Sequence, residues 1–194
     1  MSKVILKVKR IIANEMIYEL PDHLIAQVVF FLFWKFIMGK SCTFFGHRDT
    51  PASVKPLLEK TLRHLIEQEH FDLFMLGYKG NFDKYALQVL RELKQDFPFI
   101  RIQFVAAYVR ELNDEKIPDC FDMFDYPPII EASPKKFAFS ARNRYLAECC
   151  DCAVVYVARG WGGAYEATYY FLSKKKHIVN LATDDKVNSS MSHF

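Results

Sequence analysis

The chain predicts an α/β domain: a Rossmann-like parallel sheet with helices on both faces. Three observations carry this reading. Short apolar runs recur, most of them ending at a glycine-bearing loop. After those loops comes a stretch with apolar residues at helical spacing. And the composition, 51% hydrophobic and 25% charged over 194 residues, is that of one soluble globular domain large enough to bury a core.

The regular pattern starts after residue 38. Ser41–Phe45 is an apolar run ending at Gly46, a strand reaching a turn. Gly46-His47-Arg48-Asp49-Thr50-Pro51 is its loop. A helix follows with Thr50 or Ser53 as N-cap, Pro51 or Pro56 in its first turn, and Leu58, Leu62, Leu65 and Ile66 on one face. Asp72–Leu76 is the second strand, and Gly77-Tyr78-Lys79-Gly80-Asn81 its loop. Asn81 caps a helix striped by Ala86, Val89, Leu90 and Leu93. Ile100–Ala107 is a third strand. From Tyr108 to Phe139 the period is lost among Pro118, Pro127, Pro128 and Pro134, the mark of a long functional or mobile loop. Ser140 then caps a helix through Cys150, Ala153–Val157 is a strand, Arg159–Gly163 a loop, Ala164–Leu172 a helix and His177–Leu181 a last strand. The domain is thus placed at 39–182, with a polar tail at 183–194.

Residues 1–38 stand apart as a hydrophobic extension. Leu24–Trp34 is apolar except for Gln27, but it is shorter than the roughly 20 residues of a membrane span. No transmembrane span is expected, and no cleavage site marks a signal peptide. The segment reads as a helix that packs on the domain or a partner, as an interfacial helix, or as a stretch upstream of a natural start at Met38. The fold is expected not to depend on it.

Twenty-six Lys and Arg against 23 Asp and Glu leave a net charge of +3, too weak to indicate a nucleic-acid partner. The five cysteines follow no disulfide framework, which points to a reducing, cytoplasmic compartment. Cys149, Cys150 and Cys152 lack a second Cys or His pair at zinc spacing, so no metal is expected, and the trio reads as a buried helix end running into a strand. No complete dinucleotide or Walker motif is present, and no cofactor is predicted.

Alternating strands and helices put every strand-to-helix loop on one sheet edge, where ligands of such sheets bind. Gly46, Gly77 and Gly162 are therefore expected around one cleft. Gly46 lets backbone approach a ligand beside a helix N-terminus, with Arg48 as a bidentate phosphate donor and His47 next to it. The alternative is a tight turn with an exposed His-Arg pair. In the second loop, Gly77, Gly80 and Asn81 precede Phe82 and Asp83, and Asp83 either accepts ribose hydroxyls or complements the helix dipole. Arg142, Asn143 and Arg144 are read as opening a helix, where cations oppose the dipole unless an anion is bound or acidic loop residues lie near. Gly160-Trp161-Gly162-Gly163-Ala164 is the strongest phosphate cradle, since consecutive N–H groups and a helix terminus point together. Trp161 stacks on a base or closes the core. Glu166, in the first turn, faces the ligand or offsets the dipole. His64, His70 and His177 read as surface residues.

These motifs, taken in order, resemble the SLOG superfamily, the Rossmann-like group that includes LOG-type cytokinin-activating phosphoribohydrolases and Smf-type DNA-processing proteins. Small stand-alone bacterial SLOG proteins are the most similar. The resemblance spans about Gly39 to Ala182 and rests on four segments: Phe44-Phe45-Gly46-His47-Arg48, Gly77-Tyr78-Lys79-Gly80-Asn81-Phe82-Asp83, Phe139-Ser140-Ala141-Arg142-Asn143 and Trp161-Gly162-Gly163-Ala164. It implies a nucleotide-derived ligand and a homodimer. LOG enzymes use an Arg, to which Arg142 is similar, and a Glu within a Pro-Gly-Gly-x-Gly-Thr-x-x-Glu signature. With Gly163 as the last glycine, Ala164 replaces the Thr and Ala167 the Glu; Glu166 is one residue away, about 100° around the helix. The leading expectation is therefore a sensor or binding module for a nucleotide or nucleotide derivative. The alternative is a nucleoside-monophosphate phosphoribohydrolase in which Asp83 or Glu166 stabilises an oxocarbenium-like centre. A third class is an interaction protein docking through residues 1–38.

Overall fold

Six parallel strands form the sheet in a computed structural model that describes residues 39–182. The extension 1–38 and the tail 183–194, with every expectation attached to them, lie outside the described residues. The strands are β1 (Lys40–Gly46), β2 (Phe71–Leu76), β3 (Arg101–Val105), β4 (Met123–Asp125), β5 (Cys152–Tyr156) and β6 (His177–Asn180). Their spatial order is β4-β3-β2-β1-β5-β6. The chain steps outward from β1 to β4, then returns to the other side of β1 to lay down β5 and β6. The order therefore reverses between β1 and β5, and the carboxyl ends of those two strands flank the crevice where such sheets hold ligands.

Central strands covered on both faces read as continuous apolar runs. Ser41 to Phe45 of β1 and Cys152 to Val155 of β5 are buried at every position. Helices α1 (Lys55–Glu67) and α2 (Asn81–Asp96) cover one face, packing Leu58, Leu62, Leu65, Ile66, Phe82, Leu90 and Leu93 against Phe44, Phe74 and Phe104. Helices α3 (Pro128–Glu131), α4 (Ala138–Cys149) and α5 (Gly163–Ser173) cover the other, through Ile130, Leu146, Ala147, Ala167 and Phe171. The expected doubly covered α/β architecture is thus present. Among the described residues, no helix is long and apolar enough to cross a membrane.

Four local expectations need correction. The aperiodic stretch 108–139 holds the edge strand β4 and the short α3. Three residues with one side open to solvent carry no hydrophobic period, and β4 is held by pairing with Gln103, Phe104 and Val105 of β3. None of the expected side-chain caps forms. Thr50 instead donates its hydroxyl to the His47 carbonyl at 2.6 Å, closing a turn, and a 3-10 turn over Ala52–Val54, which takes in Ser53, leads into α1. Gly80 occupies the N-cap of α2, and Asn81 is its first helical residue. Finally, α4 starts at Ala138, fed by a 3-10 turn over Lys135–Phe137, so Ser140 lies inside it and Arg142 is its fifth residue. Arg142 and Arg144 are past the first turn, and the supposed conflict with the helix dipole falls away.

Candidate functional site

The β1 and β5 loops meet at the switch point. The His47 N–H donates to the Tyr156 carbonyl at 3.3 Å, extending the β1–β5 pairing past Gly46. Asp49 accepts a two-pronged hydrogen bond from Arg159, at 2.8 and 3.2 Å, which ties the loop after β1 to the loop after β5. The Arg159 guanidinium holds the Asp49 carboxyl below the usual carboxylate range. The loop after β2 joins from the other side: Asn81 N–H donates to the Arg48 carbonyl at 3.1 Å.

Between these loops and α4 lies a cleft of about 290 Å³. Its walls include Gly46, His47, Arg48, Gly80, Asp83, Arg142, Asn143, Trp161, Gly162 and Gly163. Phe44, Phe45, Lys79, Phe139, Arg159 and Ala164 complete it. Sequence reasoning did not single out Lys79 or Arg159 as site residues, although both sit in glycine loops it identified. Four of the expected residues do not line the cleft. Phe82 is fully buried beneath it, its ring 6.4 Å from Phe44 and 6.3 Å from Tyr156, and a side chain on Gly46 would run into that ring. Gly77 lies behind Arg142, where any Cβ would collide with the guanidinium. Asn81 serves the loop through its backbone. Glu166 faces a second cavity between α4 and α5.

Three side chains of the cleft, Arg142, His47 and Arg159, each hold a buried polar atom without a hydrogen bond. Arg142 is 8% exposed, and its Nε has no hydrogen bond. Its Nη2 donates to Asn143 Oδ1 at 3.2 Å and its guanidinium lies over the Phe139 ring at 5.4 Å. No carboxylate among the described residues stands in ion-pair contact with it. A guanidinium does not shed its proton to escape burial, and although Asp83 feels this charge, burial favours the neutral form of that carboxyl, which leaves room for a further anionic partner. His47 is equally buried, with Nε2 unpartnered. Desolvation, and then the Arg159 charge, push its pKa below the usual imidazole value and keep the ring neutral. Asp83 accepts the Lys79 N–H at 3.1 Å; burial raises its pKa, while Arg142 and that N–H pull the other way. At the rim, Lys79 stands 3.7 Å from Glu111, and the two-thirds-exposed Trp161 ring carries Arg159 at 4.7 Å, so Trp161 does not close the core.

The β5 loop presents the last element. Gly162 has φ +94°, the left-handed region that favours glycine, and it turns the chain into α5. The Glu166 N–H is the first of α5 to find a helical carbonyl, that of Gly162 at 3.0 Å, so the N–H groups of Gly163 and Ala164 point out of the helix end. This terminus, Arg48 and Arg142 border one space.

No group of His, Cys, Asp or Glu among the described residues is arranged to hold a metal ion. No family model matches the chain, and no curated protein matches it well enough to count as a relative.

Proposed function

We propose that the cleft at the switch point binds a phosphorylated nucleotide or nucleotide derivative, as a sensor or binding module. The observation that carries this reading is Arg142: a permanently charged side chain, buried, with an Nε short of a partner, and lining the same cleft as the α5 N-terminus. A phosphate supplies charge to the guanidinium and acceptors to the Gly163 and Ala164 N–H groups at once. The SLOG resemblance points the same way. Calorimetric titration of a nucleoside monophosphate and its nucleoside, into the native protein and Arg142→Ala, tests it. A charge-assisted contact is worth roughly 1.5–3 kcal/mol, so the variant is expected to lose about tenfold to a hundredfold for the nucleotide and little for the nucleoside. Equal losses would assign Arg142 to loop support.

The second reading, hydrolysis of a nucleoside monophosphate at its N-glycosidic bond, rests on Asp83. That carboxyl stands in the cleft beside Arg142, whereas Glu166 opens on the neighbouring cavity. Incubation with AMP followed by chromatography for free adenine separates the two: release of the base that Asp83→Asn abolishes supports hydrolysis.

A further inference from the structure

Tryptophan usually gives little of its surface to solvent, yet Trp161 is 67% exposed at the wall of the cleft. It is also held in place. The Arg159 guanidinium lies 4.7 Å from the centre of its ring, and Arg159 is itself fixed by two hydrogen bonds to Asp49. No other ring or cation among the described residues stacks on the indole. The chain around it leaves it clear, since a Cβ on Gly160, Gly162 or Gly163 would meet nothing within 4 Å. The other aromatic rings of the cleft are taken. Phe44 and Phe45 are buried in the core, and the Phe139 ring meets Arg142 at 5.4 Å, Lys79 at 5.8 Å and Tyr108 edge-on at 5.4 Å. Among the described residues of the cleft, Trp161 is therefore the flat apolar surface that keeps a face open to a ligand.

We infer that the ligand of this cleft is a purine nucleotide whose base stacks on the free face of Trp161. The inference rests on the nucleotide reading above and names the class of base. Trp161 directly precedes Gly162, the N-cap of α5, so one ligand can set its phosphate on the Gly163 and Ala164 N–H groups and its base on the indole. Stacking strengthens with the overlap of the two π-faces, and a fused two-ring base matches an indole better than a single pyrimidine ring does. The Arg159–Asp49 pair sets the indole before the ligand arrives, so less side-chain freedom is lost on stacking than for an unsupported surface residue. Trp161 then selects the base, while Arg142 serves the phosphate.

The experiment compares AMP, CMP and ribose 5-phosphate on the full chain, by calorimetry and by the fluorescence of its two tryptophans, Trp34 and Trp161. Affinity is expected to fall in the order AMP, CMP, ribose 5-phosphate, and AMP is expected to quench emission that ribose 5-phosphate leaves unchanged. Trp161→Leu is expected to weaken AMP binding about tenfold and to remove the quenching. Its affinity for ribose 5-phosphate should stay that of the native protein, which also shows that the variant is folded. Trp161→Tyr, which restores a π-face, is expected to recover most of the AMP affinity. Equal affinities for AMP and ribose 5-phosphate overturn the inference and leave the phosphate reading standing. So does quenching that survives in Trp161→Leu, or a Trp161→Leu loss shared by AMP and ribose 5-phosphate. Equal affinities for AMP and CMP overturn the purine class. Failure of all three to bind overturns the nucleotide reading itself.

Discussion

The two helical layers of this domain solve different problems. Helices α1 and α2 close on the sheet with large side chains: Leu58, Leu62, Phe82 and Leu90 are fully buried, against Phe74 and Phe104. Helices α4 and α5 contribute mostly small ones, Ala138, Ala147 and Ala167, with Leu146 and Phe171 as anchors. Their layer also keeps buried polar groups without partners, Arg142 Nε and Thr168 Oγ1, and it encloses the cavity between α4 and α5. A packed layer gains stability from each methylene it removes from water; a layer with open volume and unpartnered donors gives up some of that gain and keeps room for a ligand. Stability and binding are therefore expected to separate by face.

Truncation breaks or sustains this contrast most directly. Phe82→Ala removes a fully buried ring beneath the β1 loop and is expected to cost about 3–5 kcal/mol in urea unfolding. Tyr165→Ala, at the wall of the α4–α5 cavity, is expected to cost about 1 kcal/mol or less. Similar costs at both sites would remove the distinction between the layers. Gly77→Ala probes the point where they meet. The new Cβ falls on the Arg142 guanidinium, and the side chain has to swing away or the loop has to shift. The expected stability loss is about 1–3 kcal/mol, and nucleotide affinity should fall about as far as in Arg142→Ala. Intact affinity in Gly77→Ala would show that the placement of Arg142 does not matter to the ligand.

Much of this architecture was legible because it repeats. Strand, glycine loop and helical stripe recur over 41–107 and 140–181, and β1, β2 and β5 are buried at nearly every position, so their apolar runs stand out. β4 escaped because pairing rather than burial holds it: Phe124, its middle residue, is half exposed, and prolines on either side hide the boundaries. The start of α4 was misplaced for a related reason. Backbone turns over Lys135–Phe137 open it, where a side-chain cap had been expected at Ser140. In the site, the glycine loops gave the location but not the depth of each residue. Asp83 and Arg142 look alike on paper as charged helix residues, yet both are buried in the cleft, and only packing against Gly77 and Phe139 shows why Arg142 turns inward. Lys79 and Arg159 needed the topology, because their partners Glu111 and Asp49 are remote in sequence.

Protonation sharpens the comparison further, since the cleft buries two titratable groups of opposite behaviour. Burial raises Asp83 above its ordinary 3.8, against the pull of Arg142 and the Lys79 N–H. The native state then holds this proton more tightly than the unfolded state. The associated stability is full below 3.8 and is lost as pH rises through the native value. Asp83→Asn is expected to flatten that decline in urea midpoints taken from about pH 4 upward. A slope unchanged by the substitution would mean that the carboxyl is ionised in the fold.

His47 gives the smallest effect and the most specific one. Desolvation first, then Arg159, lower its pKa from 6.5, with Asp49 opposing. Below 6.5 the unfolded chain binds a proton that the native ring resists, so the His47 contribution is present above 6.5 and is lost as pH falls toward the native value. A phosphate entering the cleft changes the balance, because it offsets the Arg159 charge, which after desolvation is the second cause of the lowered pKa. The His47 pKa then rises on binding, and Nε2, which has no hydrogen-bond partner within the protein, gains an acceptor for its proton. Nucleotide binding just below pH 6.5 is therefore expected to take up protons. In calorimetry this appears as an apparent enthalpy that depends on the ionisation heat of the buffer. The matching nucleoside should show no such dependence, and His47→Gln should abolish it for the nucleotide while leaving the Arg142 contribution to affinity in place. Proton uptake that survives His47→Gln would move the titration to the phosphate itself or to Asp83, and would leave His47 as packing beneath the β1 loop.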